Sequence, residues 1–396
     1  MDFDLTESER LFRDELRQFL DANLPDSWRS RHPKEPWTDE RRELARLWQA
    51  KLAEGRYVAL DWPKQWGGRE ASLAERIIVQ TELIRARAPR IIGHVGLDLV
   101  GPALIEHGTE AQKKRFLENM RTSKELWCQG FSEPNAGSDL GGLRTRAVLD
   151  GDHWVVSGQK VWTSVAECAD WCFLLARTDA DVKKHAGISA LLVDMKQPGI
   201  DVRPLRQMTG EAEFNEIFFE SVRVPRQNLL GELNGGWPVA TAALQNERGI
   251  LYVVEMRIQL QQARDQLLAL AREHGAGDDP VLRQQVAELN IQTEVFRMTC
   301  QRILDKLLRM GMPGPEASII KLHWTDITQS MPLLGMKILG PQGLLYDAPE
   351  PRAGRVDPSQ WLQRSYLASR AASIASGTSE IMRGIIAMQV LGLPRG

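Results

Sequence analysis

Trp127-Cys128-Gln129-Gly130-Phe131-Ser132-Glu133-Pro134-Asn135-Ala136-Gly137-Ser138-Asp139-Leu140 is the stretch on which the reading of this chain turns. Pro-Asn followed by Gly-Ser-Asp is turn chemistry, so the segment is a polar loop bearing hydroxyls and backbone N–H groups. It also marks a change of texture. Before it, apolar residues recur at helical spacing: Thr6 and Glu9 form a capping-box pattern ahead of Phe12, Leu16, Phe19 and Leu20. A second helix over 41–54 is expected to bury Leu44, Leu47 and Trp48, and Trp62 to Gly68 reads as a loop because Pro and paired glycines stop a helix. Helical patterns resume from Leu73 to about Arg121.

After the loop the period shortens. Asp150-Gly151-Asp152 reads as a hairpin turn leading into Trp154-Val155-Val156, and strand-like runs follow at 172–175, 190–193 and 217–219. From Gly236 the helical period returns and holds to the end, with Asp279-Pro280 opening a further helix. The expected fold is mostly α with a small β domain: an N-terminal helical domain over 1–125, a middle β domain over 126–235 and a C-terminal helical bundle over 236–396.

Composition narrows the function. The formal net charge is −2 and 26% of residues are charged with both signs interspersed, so no basic patch marks a nucleic-acid or membrane surface. Cys128, Cys168, Cys172 and Cys300 form neither a disulfide framework nor a metal-binding set. The acidic start, without an apolar signal region, predicts a soluble cytoplasmic protein.

A second polar turn, Gly158-Gln159-Lys160-Val161-Trp162-Thr163-Ser164, follows the first. Together the two could hold a flat, electron-poor heteroaromatic ring and stabilise negative charge on it as it is reduced. These segments resemble the acyl-CoA dehydrogenase family. Ser132 to Asp139 is similar to its Thr/Ser-Glu-Pro-x-Ala-Gly-Ser-Asp loop, and Gly158 to Ser164 to its Gly-x-Lys-x-Trp-x-Thr/Ser element. His107-Gly108-Thr109-Glu110-Ala111-Gln112-Lys113 and Gly377-Thr378-Ser379-Glu380-Ile381 with Arg383 resemble two further family signatures, in family order.

The resemblance implies bound FAD. Ser132 and the Phe131 amide are then expected at the pyrimidine end of the isoalloxazine, Ser164 near N5, and Trp162 over one ring face. Gln129, Gly137, Ser138 and Thr163 complete that group, with Ser138 also toward the thioester arm of the substrate. Thr378, Ser379 and Glu380 are expected along the ribityl–pyrophosphate part. The reaction implied is α,β-desaturation of an acyl-CoA to a trans-2-enoyl-CoA, with electrons passing to an electron-transfer flavoprotein.

Abstracting an α proton from a thioester requires a carboxylate held in a dry site. Most family members place a glutamate immediately before the Gly-Thr of the last signature, and here that position is Ser376. Its backbone N–H can still donate to the thioester carbonyl beside Gly377, but its hydroxyl cannot serve as the base. A branch resembling the isovaleryl and long-chain enzymes carries the base on the long helix after the β domain, where this chain has Glu247-Arg248-Gly249. Glu247 is the expected base, Arg248 the residue ordering the substrate side, and Gly249 a source of room for a bulky or branched acyl chain.

A second departure concerns the partner. Family homotetramers complete each FAD site from a neighbouring subunit. Here those elements read Arg272-Glu273-His274-Gly275 and Lys337-Ile338-Leu339-Gly340-Pro341, with lysine and proline where glutamine and glycine belong. Proline lacks the N–H that a phosphate oxygen would use. The resemblance is then closest to subunits of bacterial sterol side-chain enzymes, in which a homologous chain completes an α2β2 heterotetramer; self-assembly as a homotetramer is the alternative. Two other functions share the motifs: a flavin monooxygenase, which needs no carboxylate base, and a non-catalytic subunit.

Overall fold

The computed structural model describes residues 5–25, 28, 38–247, 250–310, 314–346 and 361–394. Helices Glu7–Asn23, Asp39–Glu54, Leu73–Arg85, Gly101–His107 and Glu110–Arg121 come first. Thr6 caps the first helix in a reciprocal capping box with Glu9, and Thr109 does the same with Gln112. The pattern running from Leu73 to Arg121 is broken after Arg85 and resumes in a short π-helical turn, Gly96–Val100. Pro89 lies in the break and has no N–H to continue a helix.

The Asp39–Glu54 helix corrects one expectation. Its buried face is Arg41, Ala45, Trp48, Gln49 and Leu52, whereas Leu47 is 59% exposed. The buried stripe includes a polar side chain because that side chain is fully used. The Gln49 amide donates to Met120 O at 3.0 Å and accepts from Gly93 N–H at 2.8 Å. Hydropathy alone cannot see a glutamine whose groups are all paired.

The β domain is one eight-stranded sheet. Its strands are β1 (Trp127–Gly130), β2 (Arg146–Asp150), β3 (His153–Ser164), β4 (Trp171–Arg177), β5 (Ile188–Asp194), β6 (Ile200–Leu205), β7 (Phe214–Pro225) and β8 (Leu229–Leu230). Their order is β6-β7-β3-β2-β4-β5-β8, with β1 parallel to β4. β2 and β3 pair Asp150 with His153 across Gly151-Asp152, the hairpin the sequence predicts.

β4 and β5 are buried on both faces, which is why they read as unbroken apolar runs. Alternate residues serve different cores. Phe173, Leu175 and Leu192 face the N-terminal helices and Val239, Ala240 and Ala243 of the Gly236–Glu247 helix. Cys172, Leu174 and Val193 face the other way, onto Trp154, Val156 and Phe219.

Helices Ile250–Glu273, Pro280–Met310 and Ala317–Leu339 close a separate core around Val254, Phe296, Cys300, Ile320 and Met331. Trp361–Ser369 and Ser379–Ile385 pack on the Ala317–Leu339 helix. Gly275, at φ 63°, ends the Ile250–Glu273 helix and lets Ala276 N–H reach Ala271 O at 2.9 Å. The chain therefore has the three-part, mostly helical architecture expected from its sequence.

Candidate active site

β3 and β7 fall out of register between Lys160 and Thr163. Such a bulge bends the strand and re-aims a side chain. Here it puts Trp162 at φ 62° and leaves its indole 61% exposed, with Phe214 edge-on at 6.1 Å. A tryptophan in that backbone region is strained, and strain persists only where the surroundings impose it.

What imposes it lies two residues back. Lys160 is completely buried, and its ammonium donates to Glu133 at 2.8 Å and to Phe131 O at 3.0 Å. Glu133 also accepts the N–H of Arg144 at 2.7 Å and of Thr145 at 2.8 Å, while Val161 N–H donates to Ser132 O at 2.9 Å. The polar loop is thus fastened to the bulged strand. Burial pulls the Lys160 ammonium below its ordinary range, opposed by Glu133; burial opposes ionisation of Glu133 too, but Lys160 and the donors at Thr145 outweigh it and keep the carboxyl low. Gly158 is required nearby, because a Cβ there would come within 2.6 Å of Thr145 Cα.

The sequence-predicted residues fall on separate supports. Phe131 is buried against Phe173, Gln129 and Ser132 are half-buried, and Gly137 and Ser138 are exposed on the loop. Ser164 is half-buried beyond Trp162. Thr163 is buried, its carbonyl accepting from Asn215 at 3.2 Å and its hydroxyl without a partner among the described residues. Ser376 and Gly377 stand on the other support, successive left-handed residues at φ 54° and 93°. Thr378 caps the next helix through Ile381 N–H, Ser379 is buried, and exposed Glu380 pairs with Arg383 at 3.3 Å. Glu247 is the last described residue of the Gly236–Glu247 helix; its side chain, Arg248 and Gly249 lie outside the described residues.

An exposed flat indole, with half-buried Ser132 on the adjoining loop and Ser164 two residues on in the strand, against a loop tied down by a buried ion pair, fits a flat heteroaromatic group such as an isoalloxazine. A wall of this kind is open to ring stacking, and the hydroxyls can meet the ring's heteroatoms.

Two features escaped the sequence reading. Lys160 and Glu133 sit inside quoted motifs, and a lysine at an inward strand position is the signal that it needs a partner. Asp98 gave no signal. In the Gly96–Val100 turn it is the one open side chain, on an element that packs against the Gly236–Glu247 helix. Crowding by the surrounding protein, reinforced by Asp61 and Glu255 and opposed by Arg76, pushes its carboxyl up to about 7.

Comparison with known proteins bears on what this arrangement does. Residues 6–124, 128–222 and 234–391 match the family models for the N-terminal, middle and C-terminal domains of acyl-CoA dehydrogenase. The chain is 40% identical to the acyl-CoA dehydrogenase IpdE1 of Mycolicibacterium smegmatis over 97% of both chains. Its fold is similar to the steroid acyl-CoA dehydrogenase Tcur3481-Tcur3483, with TM-score 0.84 and 28% identity over all of both chains. It is also similar to a chain of the ChsE4-ChsE5 complex from Mycobacterium tuberculosis, with TM-score 0.77 and 29% identity over all of both chains.

Two outcomes are expected. Lys160→Met leaves a buried carboxylate without its cation and costs about 3 kcal/mol; chemical denaturation reads the loss, and Lys160→Met with Glu133→Gln recovers part of it. For Asp98 the folded state holds the proton more tightly than the unfolded chain, so its contribution to stability is complete below pH 4 and lost as pH rises through about 7. Asp98→Asn removes that titration. Its melting temperature relative to wild type climbs between pH 4 and pH 7 and levels above, and a pH-independent difference rules out this reading of Asp98.

Proposed function

The chain belongs to the acyl-CoA dehydrogenase family, and on that premise we propose that it is an FAD-dependent enzyme desaturating a bulky, steroid-derived acyl-CoA between Cα and Cβ. The observation that carries the cofactor is the exposed Trp162 on its bulge, beside a loop locked by Lys160 and Glu133. When bound, FAD supplies the acceptor for the β hydride and passes electrons on to an electron-transfer flavoprotein. Trp162 forms one wall of its ring site, and Ser132, Ser164 and the loop amides supply hydrogen bonds.

Glu247 takes the α proton. The Ser376 N–H holds the thioester oxygen, so that negative charge developing there meets a fixed donor. The left-handed conformation at Ser376 and Gly377 supports this role, because it turns the backbone sharply just before the Thr378 cap. The acyl class rests on similarity to a protein described as a steroid acyl-CoA dehydrogenase.

We also propose that the active assembly includes a second, homologous chain. The support is Lys337 and Pro341 at the neighbour-side element and the likeness to structures described as two-chain assemblies. In this chain Gly340 N–H is already used by Lys337 O, and a short 3-10 turn, Gly340–Leu344, begins with Pro341 near its start.

Anaerobic titration with short, long and steroid-derived acyl-CoAs is expected to bleach the flavin only with the bulky members. Glu247→Gln is expected to keep FAD while slowing that bleaching by about a thousandfold, within the range for a lost general base. Bleaching at the wild-type rate in Glu247→Gln rules out this base. Native mass spectrometry with a flavin count tests the assembly: a stable homotetramer with one FAD per chain overturns the second-chain proposal.

A further inference from the structure

The turn that carries Ser376 is exposed from Ile374 to Ser376, and Ala372 is the buried residue just upstream. Ala372 is held from one side. The carbonyl of Ala372 accepts from the ammonium of Lys321, which is itself buried in the Ala317–Leu339 helix. Thr325, one helical turn on, places its hydroxyl 3.0 Å from the same carbonyl and 2.8 Å from Lys321 O, and Lys321 Nζ lies 3.3 Å from that hydroxyl.

The same helix grips the residues on either side of Ala372. Gln329 donates to Ser369 O and to the Ser373 hydroxyl, both at 3.2 Å, and Arg370 reaches back to Gln329 O at 3.2 Å. Beyond Ala372 the chain makes one tight turn, with the N–H groups of Ile374 and Ala375 both on Ala371 O, and enters the left-handed pair. A backbone donor works only if its peptide is held within a fraction of an ångström of the charge it meets. For an exposed turn, much of that hold has to come from the residues at its base.

We propose that Lys321, with Thr325, is a positioning residue for this reaction: it clamps Ala372 O and so fixes the peptide that presents the Ser376 N–H to the thioester. The inference rests on the reading of Ser376 as that donor. Lysine suits the task because its ammonium has several protons on a flexible stem, enough to serve both the carbonyl and the Thr325 hydroxyl.

The test compares wild type, Lys321→Met and Thr325→Val, each purified in its native assembly with FAD. Thr325→Val keeps the side-chain volume and guards against a Lys321→Met chain that fails to fold. Hydrogen–deuterium exchange reads the clamp without any substrate. Amides 373–377 are expected to exchange about tenfold faster in Lys321→Met, while the Pro280–Met310 helix is unchanged. With an acyl-CoA that bleaches the wild type, kcat is expected to fall by roughly a hundredfold, near the low end for removal of an oxyanion donor, with KM and flavin content little altered. Thr325→Val is expected to shift both readouts the same way, less far.

Unchanged exchange at 373–377 in both variants overturns the clamp. Faster exchange with unchanged kcat overturns its role in the reaction. The underlying reading fails differently: no acyl-CoA in the panel bleaches the wild type, whatever the exchange shows, and the positioning role falls with it.

Discussion

A lysine with no exposed surface is the constraint around which the candidate site is arranged. Lys160 sits in a strand whose neighbours are apolar, and removing an ammonium from water is costly unless it is paired and hydrogen-bonded. Glu133 and the Phe131 carbonyl meet that requirement, and Glu133 in turn takes two backbone N–H groups from Arg144 and Thr145. The two Lys160 contacts join the loop after β1 to the strand that bears Trp162, and the two Glu133 contacts tie the same loop to the residues that lead into β2. A hydrophobic pair of similar volume could be as stable, but would not specify where a polar loop sits on the sheet. The ion pair supplies register, and the exposed indole depends on that register.

Much of the fold was legible because local and global signals agree. The capping boxes at Thr6 and Thr109, the Gly151 hairpin and the apolar run of β4 each state one structural fact in a few residues. Leu47 shows where this fails. A leucine at helical spacing is expected inward, but the helix turns Gln49 inward instead, and only the tertiary partners Met120 and Gly93 reveal why. The site was legible at the level of motifs. Ser132, Trp162 and Ser376 could be named from sequence, yet the bulge at Trp162 and the consecutive left-handed residues at 376 and 377 exist only in backbone angles. Asp98 was invisible because its property comes from what surrounds it, in residues distant along the chain.

The three parts do not contribute equally to the site. The N-terminal helices share a core with one face of the sheet and with the Gly236–Glu247 helix, so they set how the candidate base is carried relative to the β domain. Gln112 strengthens this arrangement: its side-chain amide donates to the carbonyls of both Gln227 and Leu229 at 2.9 Å, pinning the helix to the last strand. The bundle formed by the later helices has a core of its own.

Among the described residues, polar contacts made by Arg364 and Tyr346 bridge the β domain to that bundle. Arg364 grips Glu211 with two hydrogen bonds, at 2.9 and 2.6 Å, both side chains being buried, and the Tyr346 hydroxyl donates to Thr209 O at 2.7 Å. The segment they seize leads directly into Phe214, the residue edge-on to Trp162. A loop tethered in this way cannot fray by itself, since its opening would strand a buried charge on each side. The rim of the indole wall therefore opens in the same cooperative event as the separation of the β domain from the bundle, and belongs with the slowly exchanging interior rather than with the surface loops.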